Sequence, residues 1–383
     1  MITKTAHSTL LKTTVIAAAA SLAVLLAACG GGGGGSSAGS GATTPASGTS
    51  GASAPATALP PQSSVPAATY TSNSPAAQIF TTINGYRQQL GVGQMRQDTV
   101  LDTAALAHAN YEQANLASGA ITGYAHDEAS TLPGFTGAWP LQRAQAAGAP
   151  KNEWVGEVVG GAYEANPPGT PGTDCANEWL DTVYHLQGVT SNTESMGVGV
   201  ASSTPTSTTP GVGSTCVLDM GTSTGVGASP DTGNTADTNT VPYAGGQQFA
   251  ANLIVHAPVS GETGVLTAMH VETPNPAPDV SVPGHPVMVR VNAQKGDTLT
   301  VSSFQLVDPN GAIVPARILV PQSAVSGSGA GVTADPNNGL LNGVAFLLPL
   351  GSLKANTTYT ATFSGSRDGT PMSTSWSFTT GAQ

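Results

Sequence analysis

Charge is scarce in this chain: 9% of its residues are Asp, Glu, Lys or Arg, with 11 basic side chains against 22 acidic ones. So few cations, outnumbered by acids, cannot build a phosphate-binding surface, which excludes nucleic acid as a partner. Aromatic residues reach only 5%, and three cysteines in 383 residues exclude a disulfide-dense scaffold. No apolar run approaches the roughly 20 residues that a membrane-spanning helix needs. Equally absent are a His-Glu-x-x-His helix, a phosphate-cradling Walker loop, a dinucleotide glycine fingerprint and a Cys nucleophile beside a base, so cofactor-dependent chemistry has no element to build on. The pattern Gly-x-Ser-x-Gly occurs at Gly35-Ser36-Ser37-Ala38-Gly39 and Gly221-Thr222-Ser223-Thr224-Gly225. A nucleophile elbow needs a helix directly after its Ser. The first copy lies in a Gly/Ser tract, and Val226-Gly227-Ala228-Ser229-Pro230 after the second cannot start one.

What is present begins with an export signal: Lys4 and Lys12, then an apolar run over 15–28 that ends in Leu26-Ala27-Ala28-Cys29. That ending resembles the lipobox of bacterial lipoproteins. The resemblance implies a signal peptide of residues 1–28 and Cys29 as the lipidated first residue of an exported, membrane-anchored envelope protein. A Gly/Ser/Ala/Thr/Pro tract follows and predicts a disordered tether over 29–73, reaching tens of ångströms. With Cys29 taken, Cys175 and Cys216 form an even pair in an oxidising compartment, which predicts one disulfide.

Two folded parts are expected, over 74–225 and 245–383, with a Thr/Asp/Gly-rich linker over 226–244. In the first, Ser74-Pro75 starts a helix that carries Ile79, Ile83, Tyr86 and Leu90 on one face and stops at Gly91. A second helix runs over 98–118 to Gly119, with Leu101, Ala105, His108 and Glu112 aligned. His108 lies in the apolar stripe and reads as a packed core histidine. A third helix covers 140–147, and a fourth starts at Asp174 and contains Trp179, Leu180 and Val183. Runs over 195–201 and 215–221 read as adjacent strands. The second part reads as short strands over 251–255, 287–291, 298–307, 344–348, 358–363 and 375–379, a β-sandwich. Its last two strands form a hairpin that puts Tyr359, Ala361 and Phe363 on one face and Trp376 and Phe378 on the partner's. His256, His270 and His285 show no spacing that suggests a site.

Against this small, weakly polar background His126, Glu157 and His185 stand out. Neutral imidazole is a good zinc ligand, and a carboxylate fixes its tautomer or positions a water. The order Ile83-Asn84-Gly85-Tyr86-Arg87, Leu101 to Tyr111, Ala125-His126, Gln142-Arg143-Ala144-Gln145-Ala146-Ala147-Gly148, Gly156-Glu157-Val158, Glu178-Trp179 with His185 six residues beyond the Trp, and Met196-Gly197-Val198-Gly199-Val200 resembles the CAP superfamily (cysteine-rich secretory, antigen 5 and pathogenesis-related proteins) over 74–222. The resemblance implies an α+β fold, an α-β-α sandwich followed here by an all-β Ig-like sandwich. It also implies a groove lined by His126, His185 and Glu157, with the two imidazoles able to take zinc.

The chain departs from the family at three places. Val183-Tyr184-His185-Leu186 stands where bacterial members often have Ser-Pro-Gly-His-Arg, Gly156-Glu157-Val158 replaces Gly-Glu-Asn, and the second acid of many eukaryotic members falls on Thr182. On a continuing helix Asp181 and His185 would be i,i+4 neighbours, so Asp181, or else Glu178, is the substitute acid to examine. Three functions follow. The first is a tethered binding module whose groove takes a small apolar or lipid-like ligand or a metal. The second is a zinc-dependent hydrolase with Glu157 as base. The third is a structural or adhesive protein that contacts envelope or host proteins. The resemblance supports the groove more than it supports a reaction.

Overall fold

The computed structural model describes residues 58–164, 169–203, 211–226, 244–293 and 296–382. The expectations for the signal segment, Cys29 and most of the 226–244 linker lie outside the described residues.

The first part is built on a four-stranded sheet in the order β1-β3-β4-β2, formed by β1 (Arg96–Gln97), β2 (Trp154–Glu164), β3 (Ser195–Ser202) and β4 (Val212–Thr222). β4 pairs antiparallel with both β2 and β3. Side chains alternate across this sheet. Val158, Val198 and Leu218 join a core made with α1 (Pro75–Leu90), α4 (Pro171–Leu180) and α5 (Tyr184–Val189). Val159, Ala201 and Val217 face Ala105 and Ala109 of α2 (Thr99–Ser118), while Val155 packs with α2 and with α3 (Pro140–Ala147). Helices therefore cover both faces, giving three layers in the order α-β-α.

The helix ends follow the local chemistry read from the sequence. Ser74 caps α1 through a hydrogen bond that its Oγ accepts from the Ala77 N–H, and Pro75 occupies the first turn. Asp98 caps α2, and Gly91, Gly119 and Gly148 end α1, α2 and α3 in the left-handed region, where a Cβ is strained. The Gly197-Val198-Gly199 run has a different purpose. A Cβ on Gly197 would stand 2.0 Å from the Leu101 carbonyl carbon, and one on Gly199 would stand 2.2 Å from that of Ala105, so only glycine lets α2 rest directly on β3.

Two departures from expectation concern boundaries. Residues 58–73 are part of the folded body and not tether. Leu59 bridges to Gln247, the Gln62 N–H donates to Gln247 Oε1, and Tyr70 donates to Asp102 and packs edge-on against Phe80. The small-residue composition concealed these few anchoring side chains. The fourth helix also begins at Pro171, earlier than the Asp174 expected. Cys175 and Cys216 form the disulfide, tying α4 to β4.

The second part contains two sheets. One is five-stranded, in the order β10-β9-β11-β7-β5: β5 (Ile254–Ala257), β7 (Val287–Val291), β9 (Ala316–Val320), β10 (Val332–Ala334) and β11 (Val344–Pro349). The other is four-stranded, in the order β6-β13-β12-β8: β6 (Thr263–Val265), β8 (Leu299–Val307), β12 (Thr358–Arg367) and β13 (Thr370–Thr380). Val287, Val289, Ala345 and Leu347 of the first sheet meet Phe304, Ala361, Phe363, Trp376 and Phe378 of the second in one core. The β12–β13 hairpin has the expected facing residues, with Tyr359 opposite Phe378 and Ala361 opposite Trp376. The outer face of the five-stranded sheet is also apolar. Its Met288, Leu319, Phe346 and Leu348 merge with Trp179, Leu186 and Val189 of the first part into a shared core.

Candidate functional site

Glu157 points from β2 to the same side of the sheet as Asp219, its register partner on β4. Its side chain is fully buried, and three groups converge on it: His126 Nδ1 at 2.9 Å, Arg143 Nη2 at 2.6 Å and His108 Nε2 at 3.7 Å. Arg143 reaches it from α3, and its guanidinium also donates to the Gly137 carbonyl. His108, on α2, approaches Glu128 through Nδ1 and the Ala125 carbonyl through Nε2, both at 2.9 Å. His108 is buried as expected, yet it is a member of this polar network and not a packing residue alone.

The electrostatics of the network follow from burial. Desolvation opposes the charge on Glu157, but Arg143 and then His126 outweigh it and hold the carboxyl well below the usual carboxylate range. Asp219 opposite is fully buried, and burial followed by the Glu157 charge outweighs Arg143 and pushes its carboxyl well above normal. Burial lifts Glu112 to about 7. Burial also opposes protonation of His126, but the hydrogen bond and charge of Glu157 reverse that and raise its pKa overall. His126 is the member of the set at the surface, its side chain half exposed.

His185 is held differently. The chain does not continue as one helix from Trp179 to His185. α4 ends at Leu180, Asp181 takes the C-cap position, and α5 restarts at Tyr184. The restart is driven by Glu272, from the second part, whose buried carboxylate accepts the N–H groups of Val183, Tyr184 and His185 at 2.8–3.0 Å. Glu272 Oε1 also lies 3.2 Å from His185 Nδ1, and Thr182 Oγ1 lies 3.0 Å from the same nitrogen. Burial, followed by the charge of His126, lowers the His185 pKa to about 4.

The break in the helix corrects the placement of the candidate acids. Asp181 does not meet His185; its carboxylate faces His270 and His285. Glu178 accepts the Gly161 N–H on β2. The acid on His185 is Glu272, 87 residues away in sequence. Its Pro-rich surroundings carry no periodic pattern that could have announced it. Glu128, in the loop before α3, carries no signal for the same reason, whereas Arg143 lies in the motif over 142–148, where its charge is the available signal.

Other motif residues are architectural. Asn84 makes a reciprocal pair of hydrogen bonds with the Met95 backbone. Buried Arg87 donates to the carbonyls of Gly93, Val189, Ser191 and Thr193, gathering the loop that leads into β3.

His126 and His185 therefore each turn Nδ1 to a buried carboxylate, His126 to Glu157 and His185 to Glu272. Among the described residues Nε2 of neither ring has a hydrogen-bond partner, and no three His, Cys, Asp or Glu side chains stand ready as a complete metal set. No curated protein matches the chain closely enough to count as a relative. Residues 80–218, which carry His126, Glu157 and His185, match the family model described as CAP, Cysteine-rich secretory protein family, so this stretch of the chain is similar to that family.

Proposed function

We propose that this chain is an exported binding module, anchored to a membrane through a lipid on Cys29, whose CAP groove takes a divalent metal ion of the zinc class through Nε2 of His126 and His185. The observation that carries this reading is the pair of carboxylate–imidazole contacts. An Nδ1–H donated to a carboxylate fixes the tautomer in which Nε2 keeps its lone pair, the arrangement that supports a metal-ligating histidine. His126 and His185 would hold the ion, with Glu157 and Glu272 orienting them. Two protein ligands leave positions for water or a ligand group, and a bound ion would supply Lewis acidity there.

The network argues for binding over hydrolysis. Glu157, buried and paired with Arg143, binds a proton too weakly to serve as general base at neutral pH. The C-terminal sheets are read here as an Ig-like domain that buttresses the groove, since Glu272 comes from that part.

Equilibrium dialysis of the full chain against zinc tests the proposal. Loss of one micromolar zinc equivalent in His126→Ala/His185→Ala supports it, and an unchanged number of equivalents in that variant refutes it. Radiolabelled palmitate incorporation, present in the wild type and absent in Cys29→Ser, tests the anchor; a label that persists in Cys29→Ser refutes it.

A further inference from the structure

A second polar constellation lies at the C-terminal end of α4. α1, α4 and the loops around residues 262–285 enclose a cavity of about 700 Å³, and its lining includes Tyr86, Asp174, Asp181, Glu262, His270 and His285 but no Lys or Arg. Asp181 presents its carboxylate at the end of α4. His285 Nδ1 lies 3.5 Å from one carboxylate oxygen and His270 Nδ1 lies 3.8 Å from the other. The His285 side chain is 5% exposed, and neither its Nδ1 nor that of His270 has a hydrogen-bond partner among the described residues.

These separations are too long for hydrogen bonds, which bring N and O to about 2.7–3.2 Å. They lie nearer the spacing of two ligand atoms on one tetrahedral zinc, roughly 3.3–3.4 Å for bonds of about 2.0–2.1 Å. We propose that Asp181, His270 and His285 form a second cation site, selective for a divalent d-block ion of the zinc class. Two imidazoles with one carboxylate suit zinc, cobalt or nickel and are a poor set for calcium or magnesium, which take oxygen ligands.

The three side chains stand slightly open, short of a complete metal set. His270, 44% exposed at the rim, is the one positioned to swing inward, and the cavity admits water to the remaining coordination position. Glu262 is engaged by the Val259 N–H and the Tyr86 hydroxyl. Its charge deepens the attraction for a cation without serving as a ligand. Both imidazoles lie beyond residue 218, outside the CAP match.

Equilibrium dialysis of the full chain against zinc alone, with cobalt d–d absorption as a second readout, tests this on three proteins: wild type, His126→Ala/His185→Ala and Asp181→Asn/His285→Gln. The proposal predicts that the groove variant keeps a zinc equivalent which the Asp181/His285 variant loses, with affinity falling roughly tenfold or more. Tetrahedral cobalt absorption should follow the same pattern. A folded groove variant that binds no zinc overturns it, as does an Asp181/His285 variant that retains every equivalent of the wild type. If Asp181→Asn/His285→Gln loses its native circular dichroism, His270→Ala at the exposed rim decides the same question. Failure of the groove alone removes only the His126/His185 equivalent, so the two sites are judged separately.

Discussion

Glu272 Oε1 lies 3.2 Å from His185 Nδ1 while the same carboxylate accepts three consecutive backbone N–H groups at the start of α5. One buried side chain thus ends the break between α4 and α5, sets the direction of His185 and joins the C-terminal part to residues 183–185.

Glu272→Ala should leave those N–H groups buried without an acceptor and cost about 3 kcal/mol. Glu272→Gln, which keeps an acceptor oxygen, should cost less than half of that. Urea denaturation of the full chain measures both, and equal losses would contradict the capping role.

Glu157→Gln should destabilise by about 3 kcal/mol, because it strands the buried Arg143 charge. It should also lower the His126 pKa: with the Glu157 charge removed, burial and Arg143 both disfavour the imidazolium. An NMR titration of His126 reads the shift, and a rise would contradict the network described here.

Asp219→Asn should stabilise the protein, increasingly so as pH rises. The Asp219 carboxyl has a folded pKa above its unfolded value, so its contribution is fully present below about pH 4 and is lost as pH rises toward the folded pKa. Its loss can amount to about 1.4 kcal/mol per pH unit across that window. Thermal melts of wild type and variant at pH 5 and pH 8 should diverge; parallel melts would mean that Asp219 is ionised in the fold.

Gly199→Ala should cost about 1–3 kcal/mol or prevent folding, since its Cβ would meet the Ala105 carbonyl of α2. Gly119→Ala, whose Cβ meets nothing within 4 Å, carries only the left-handed backbone strain and should cost less. Melting temperatures in the reverse order would contradict direct seating of α2 on β3.

Local signals carried most of the architecture. Ser74-Pro75, Gly91, Gly119 and Gly148 mark helix ends through hydrogen bonds within a few residues, and the Tyr359 and Trp376 strands carry a period of two. Tertiary partners were the illegible portion. Glu272 lies in a Pro-rich loop, and nothing local says that its carboxylate folds onto residues 183–185. Asp219 reads as one polar residue in a β-branched run, and only the β2–β4 register sets it against Glu157. Helical spacing sets Asp181 beside His185 only while the helix continues, and α4 ends at Leu180. His270 and His285 gave no signal because their meeting point, Asp181, belongs to the other half of the chain.

Long-range proton–nitrogen NMR of the His126 and His185 rings tests the central claim most directly. The account predicts that both neutral rings carry their proton on Nδ1, and that zinc shifts Nε2 of both. Protonated Nε2 in the neutral rings, or Nε2 signals indifferent to zinc, would contradict it.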